Sequence, residues 1–251
     1  MCGFLLDFNL IIAATSVAFV AGAVKGTVGF GLPTVMISGL SLLMPVDQAL
    51  ASLIGSALIT NSAQTLRQGW RAAWSTIIEH WRFITLVLVF MALSAQMVPL
   101  LSERTLYGMI GTIVLIFGIT QLLGWQIRAA KRSAEWIFGT LTGLIGGVSG
   151  IWGPPTVIYL LSRDLDTSTI VRIQGVVFGL GSIMLAVAHI KSGVLNTQTL
   201  PLSLGLIVPS ILGLSLGFWL QDRLDQQRFR QLTLMVLICA GVILLQRAFA
   251  S

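Results

Sequence analysis

Charge is scarce in this sequence. Only 10% of its 251 residues are Asp, Glu, Lys or Arg, against roughly 25% in a soluble domain. That is too little to coat a water-facing globule of this size. No polar stretch is long enough to be a soluble domain on a single anchor either. Histidine occurs only as His80 and His189, and no acidic pair sits inside an apolar run. A membrane enzyme needs clustered His, Asp or Glu at depth, so no catalytic or metal site is expected. A nucleotide-binding P-loop is also missing, which leaves no cofactor to expect and no ATP to consume. The two cysteines, Cys2 at the extreme N-terminus and Cys239 within an apolar run, do not make a disulfide framework. Asp7 precedes the first apolar run, with no basic segment and no small-residue cleavage site, so no signal peptide is expected.

What is abundant is apolar: 55% hydrophobic residues, with several of the 26 Gly and 7 Pro inside the apolar runs rather than between them. That habit belongs to membrane helices. The net charge of +6 would suggest nucleic acid in a soluble protein. Here the basic residues lie in short loops between apolar runs, so they report topology. The expected partner is the lipid bilayer and not nucleic acid.

The charge-free runs are 8–24, 26–46, 48–66, 83–102, 105–127, 136–162, 173–190, 192–221 and 231–246. A helical crossing takes about 20 apolar residues. The runs 83–102 and 105–127 fit one crossing each, with Glu103-Arg104 as a tight connection, and 192–221 fits one from Pro201 to Leu220. The run 136–162 is too long for one straight crossing and too short for two. Its middle reads Gly146-Gly147-Val148-Ser149-Gly150-Ile151-Trp152-Gly153-Pro154-Pro155, and residues 26–33 read Gly26-Thr27-Val28-Gly29-Phe30-Gly31-Leu32-Pro33. Glycine and proline break helices for opposite reasons, freedom and restriction. Both stretches are therefore helix breaks at membrane depth.

The breaks are copies. Gly26-x-x-Gly29 matches Gly147-x-x-Gly150, and Gly31-Leu32-Pro33-Thr34-Val35 matches Gly153-Pro154-Pro155-Thr156-Val157, with one extra residue in the second copy. Arg67-Gln68-Gly69 and Lys191-Ser192-Gly193 follow at comparable distances. A search for internal repeats thus divides the chain near residue 130, into 1–130 and 131–251. Each half holds two segments flanking the break and three longer ones, and an odd number reverses the second half. The basic loops agree: 66–82 (Arg67, Arg71, Arg82), 126–135 (Arg128, Lys131, Arg132) and 221–230 (Arg223, Arg228, Arg230) belong on the cytoplasmic side. Opposite loops are poorer, with Asp47, Glu103 with Arg104, and Lys191. The expected fold is an all-α integral membrane protein of two inverted repeats. Each has a broken-helix or re-entrant pair followed by three transmembrane helices, about eight to ten membrane segments in all.

The paired Gly-x-x-Gly…Gly-x-Pro breaks, the two-half layout and the size resemble the TauE/SafE family, also called the sulfite exporter family. The resemblance implies a multi-pass transporter in the bacterial cytoplasmic membrane, handling sulfite, sulfonates or related sulfur anions, with a coupling ion or proton left open. The second copy departs in its inserted residue, its doubled proline and its lack of a lysine matching Lys25.

Broken helices suit an anion. A helix start carries unpaired N–H groups and partial positive charge. Pro33 and Pro155 sit where the second half-helix of each pair should begin. Gly29, Gly31, Gly150 and Gly153 let a ligand approach the backbone, and Thr34 and Thr156 each add a hydroxyl. Lys25 adjoins the first break with no carboxylate in its run. It faces either a bound anion or, as a helix cap, the cytoplasmic surface. Phe30 and Trp152 lie inside the breaks and are expected to contact the organic part of a sulfonate or to pack ordinarily. Ser52, Ser56 and Thr60 repeat every four residues, one helical face suited to a neighbouring helix. Asn61, Gln64 and Gln174 complete the candidate substrate-binding set. His189, before Lys191, is expected as a surface or mouth residue, with a proton carrier as the alternative, and Arg163 and Arg172 are expected in a cytoplasmic loop, paired with Asp164 and Asp166. An anion channel is the alternative to a carrier.

Overall fold

The computed structural model describes residues 8–66, 69–124, 133–163, 165, 167–221 and 226–250. In chain order, α1 (Phe8–Val28) and α2 (Leu32–Leu40) are followed by α3 (Val46–Leu66), α4 (Trp70–Glu79), α5 (Trp81–Ala95) and α6 (Glu103–Leu122). A short 3-10 turn (Val98–Leu100) lies between α5 and α6. The second series is α7 (Ser133–Ser149), α8 (Gly153–Leu161), α9 (Thr167–Ser192), α10 (Leu200–Gly205), α11 (Ile207–Gln221) and α12 (Gln226–Ala250). Among the described residues there is no strand.

The breaks fall where the glycines and prolines stand. Gly29 and Gly31 take φ of 86° and 97°, a region that a Cβ opposes. The Gly29 N–H donates to the Lys25 carbonyl at 2.8 Å and closes α1. Pro33 then opens α2, where a missing N–H costs nothing. The second break repeats the first half of this device: Gly150 has φ 71° and donates to the Gly146 carbonyl at 2.8 Å. Its extra residue lets Trp152 precede α8 with ordinary φ, −99°.

The halves also pack alike. Among the closest helix pairs are α1 with α11, α5 with α7, α6 with α12 and α3 with α9. Exchanging the two series turns the α1–α11 pair into α7–α5 and maps the other two onto themselves. Small residues permit these approaches. A Cβ on Gly213 of α11 would lie 1.9 Å from the Phe19 carbonyl oxygen of α1, and one on Gly143 of α7 would lie 2.6 Å from that of Val87 on α5. Gly111 of α6 and Gly241 of α12 face each other's carbonyls reciprocally.

Five helical stretches among the described residues are long and apolar enough to cross a membrane: Asn9–Thr27, Trp81–Leu100, Glu103–Leu122, Arg172–Ser192 and Leu200–Leu220. The apolar stretch Leu237–Phe249 is shorter. The outer surface carries large exposed apolar side chains such as Val187, Ile190, Leu212 and Phe249, as a lipid-facing surface does.

Three expectations change. The segment 66–82 is not a loop: most of it is α4, because Trp70, Trp74 and Ile78 recur at helical spacing despite Arg71 between them. Glu103 and Arg104 are not the connection but the first turn of α6, which Ser102 caps by accepting the Thr105 N–H at 3.3 Å. Arg172 lies inside α9. Cys2, Asp7, Arg67, Arg128, Lys131, Arg132, Asp164, Asp166 and Arg223 lie outside the described residues, and Arg228 and Arg230 fall within α12.

Candidate functional site

The two helix starts meet. Gly31, Pro33 and Thr34 at the start of α2 and Trp152 and Gly153 at the start of α8 line one cavity, together with Lys25, Phe30, Asn61, Ile151 and Phe178. The space between them is about 280 Å³ when the part open to solvent is counted, and its enclosed part has room for about one water molecule.

Lys25 is the cationic group of this cavity and is 3% exposed. The surface-cap alternative therefore does not describe it. Its Nζ donates to Thr60 Oγ1 at 3.1 Å and to Asn61 Oδ1. Both acceptors come from α3, on the polar face of that helix. No carboxylate stands within ion-pairing distance of Lys25 among the described residues. Asn61 is 2% exposed and its Nδ2 has no hydrogen-bond partner. The cavity thus holds an ammonium without a counter-ion beside an unfilled amide donor. Burying either is costly unless something pairs with it.

The lining is chemically one-sided. Lys25, Thr34 and Asn61 come from the first half of the chain, which also contributes the apolar Phe30 and Pro33. The second half contributes Ile151, Trp152, Gly153 and Phe178. Trp152 is 1% exposed, packs edge-on against Phe178 with centroids 6.4 Å apart, and its Nε1 has no partner. Phe30 meets Phe117 edge-on in the same way, also at 6.4 Å. The starts of the half-helices differ too. Pro154 and Pro155 have no N–H, so Gly153 alone among the first three residues of α8 carries a donor, whereas α2 carries two, on Leu32 and Thr34.

The Sulfite exporter TauE/SafE family model matches residues 14–244. The chain belongs to the TauE/SafE family. No curated protein and no solved structure matched it. Membership in a family of exporters, with five apolar helical stretches of spanning length among the described residues, makes the chain an integral membrane protein of the transporter class.

Eight of the fourteen residues singled out in the sequence line the cavity of this TauE/SafE chain: Lys25, Phe30, Gly31, Pro33, Thr34, Asn61, Trp152 and Gly153. The other six do not. The Gly29 carbonyl accepts from Gln64 Nε2 at 3.4 Å, so both serve the first break. Gly150 sits against Leu50 and Leu53 of α3. The Thr156 hydroxyl donates to the Trp152 carbonyl at 2.8 Å, across the first turn of α8. Pro155 lies two positions past Gly153, where the lining of this break ends. Gln174 is buried with Nε2 unpartnered, one helical turn before Phe178, and is not among the lining residues. Ile151 and Phe178 were not singled out. Ile151 lies within the break and could have been included with it. Phe178 carries no sequence signal, because only the crossing of α9 brings it to Trp152.

Two further expectations are settled by burial. His189 is not a surface residue: it is fully buried, with Nε2 3.0 Å from the Gly147 carbonyl and Nδ1 3.3 Å from Ser192 Oγ. It braces the last turn of α7 before the second break. The polar face of α3 does bind a neighbouring helix. Ser56 donates to the Leu206 carbonyl at 3.0 Å and lies 2.9 Å from Ser210 Oγ, while Thr65 donates to the Gly175 carbonyl at 2.8 Å.

Proposed function

We propose that this chain carries small sulfur-containing anions, of sulfonate or sulfite type, across a bacterial cytoplasmic membrane by alternating access around the cavity between the two breaks. The carrying observation is the Lys25 ammonium, buried without a carboxylate beside the unpartnered Asn61 Nδ2 at the meeting of two helix starts. An oxyanion supplies the missing acceptor for both and meets the positive ends of α2 and α8. The one-sided lining favours a sulfonate with an organic tail over bare sulfite. Its oxygens face Lys25, Thr34 and Asn61, and its tail faces Ile151, Trp152 and Phe178.

The two series are repeats of opposite sense meeting near residue 130. The exchange-symmetric packing and the matched glycine closures at Gly29 and Gly150 support that reading. Alternating access then rocks one half against the other around the shared site. Inverted halves of equal geometry but unequal lining give a carrier one polar wall and one apolar wall in both of its orientations.

The test is a titration of the purified chain with sulfite, methanesulfonate, an aryl sulfonate, thiosulfate and matched carboxylates, followed by flux in proteoliposomes. Sulfonates are expected to bind more tightly than carboxylates of equal size, with saturable uptake and counter-flow. Preference for carboxylates would remove the sulfur-anion assignment, and an ohmic current without counter-flow would make the protein a channel.

A further inference from the structure

Helix α4 carries more than its packing requires. Its buried residues are the small Ala73 and Thr76. Pointing outward are Trp70 at 67% exposure, Trp74 at 59% and Ile78 at 60%, and Trp81 at the start of α5 is 55% exposed. At about 100° per residue, Trp70, Trp74 and Ile78 form one stripe on the helix and Arg71 flanks it. The Arg71 guanidinium lies 5.6 Å from the Trp70 ring centroid, and that of Arg82 lies 5.5 Å from Trp81. Each arginine rides on an exposed indole. Glu79, the carboxylate of α4, lies 3.9 Å from His80 and pairs with neither arginine.

The fold does not demand this stripe. The same place in the second series is taken by α10, Leu-Pro-Leu-Ser-Leu-Gly, which has no aromatic residue and no charge. A row of half-to-two-thirds exposed indoles with guanidiniums beside it matches one environment. Tryptophan settles at the headgroup level of a bilayer. A guanidinium pairs bidentately with phosphate. Basic side chains at a membrane surface favour anionic lipid.

We propose that Arg71 and Arg82, each against its own exposed indole, Trp70 and Trp81, form with Trp74 a binding site for the headgroups of anionic phospholipids of the surrounding bilayer. The site ties α4 to one leaflet and gives that face of the protein an anchor that the other face, at α10, lacks. The assignment is independent of what the central cavity carries.

The experiment uses the full chain in bilayer nanodiscs containing brominated phosphatidylglycerol or brominated phosphatidylcholine at equal mole fraction. Tryptophan quenching is read as the difference between the wild type and a Trp70→Phe/Trp74→Phe/Trp81→Phe variant, which isolates the three indoles. The anionic lipid is expected to quench them preferentially. The preference should fall about fivefold for Arg71→Gln or Arg82→Gln and about 25-fold for both together. It should be kept only in part in Arg71→Lys/Arg82→Lys, which retains the charge and loses the bidentate fork, and weaken in high salt. Equal quenching by the two lipids, or a preference that persists in the double Gln variant, would overturn the proposal. Indoles shielded from both lipids, in chains that cross-link as pairs through α4, would overturn it in favour of a second copy of the chain.

Discussion

Replacing Lys25 with Met separates a structural role from a ligand-binding one. The substitution keeps an unbranched apolar stem in a position that is 3% exposed, and removes the ammonium. Two hydrogen bonds go, to Thr60 Oγ1 and to Asn61 Oδ1. Thr60 keeps its own bond to the Ser56 carbonyl at 2.7 Å, so only Asn61 is left with a newly orphaned atom. That costs about 1–3 kcal/mol. Against it stands relief from holding a lysine at membrane depth without a counter-ion, about 3 kcal/mol on insertion scales. The two offset, and stability should change by less than about 2 kcal/mol. Anion binding has no such compensation. The lost charge-assisted contact, about 1.5–3 kcal/mol, weakens affinity about 10- to 150-fold. Calorimetric titration with methanesulfonate and sulfite gives the second quantity. Thermal unfolding of the same ligand-free preparation gives the first. Unchanged affinity for both anions would refute the reasoning. So would a loss of stability large enough to account for the loss of binding.

Three further outcomes follow from the geometry. Gly213→Ala should destabilise by about 1–3 kcal/mol or more, since its Cβ would meet the rigid Phe19 carbonyl at 1.9 Å, while Gly205→Ala, with nothing within 4 Å, should stay within about 0.5 kcal/mol in the same unfolding assay. Arg247 donates to the Ser41 and Leu42 carbonyls, each at 2.9 Å, at the C-terminal end of α2, so Arg247→Met should lower the unfolding temperature by the equivalent of about 1–3 kcal/mol, with Arg247→Lys intermediate. Burial holds the His80 pKa below its ordinary 6.5, an effect partly opposed by the neighbouring Glu79 carboxylate and by Glu135. The unfolded chain then binds the proton more readily, so stability is full above about pH 6.5 and falls as pH drops toward the folded value. The fall in unfolding temperature on acidification should flatten in His80→Asn, and an unchanged slope would show that another group is responsible.

The sequence by itself determined the class of the protein and the positions of its breaks. Scarce charge forces burial in lipid. A helix cannot run through Gly29-Phe30-Gly31-Leu32-Pro33 or Gly150-Ile151-Trp152-Gly153-Pro154, because those residue types refuse its dihedrals or lack its donor. The duplication of the break was equally legible, since it is written in residue types at matched spacing. Tertiary structure decided what faces what. Whether Lys25 meets solvent or a cavity depends on where α3 crosses α1, and the contact with Thr60 and Asn61, some 35 residues away, carries no local signature. His189 reads as a surface residue beside Lys191 until α7 packs the Gly147 carbonyl against it. The chemical inequality of the two walls was legible in part, since Lys25 has no counterpart in the second copy and the second proline is doubled. Assembly supplied the rest. The differing neighbours of the two breaks, Asn61 for one and Phe178 for the other, reach the cavity only through helix crossings set by glycine contacts far along the chain.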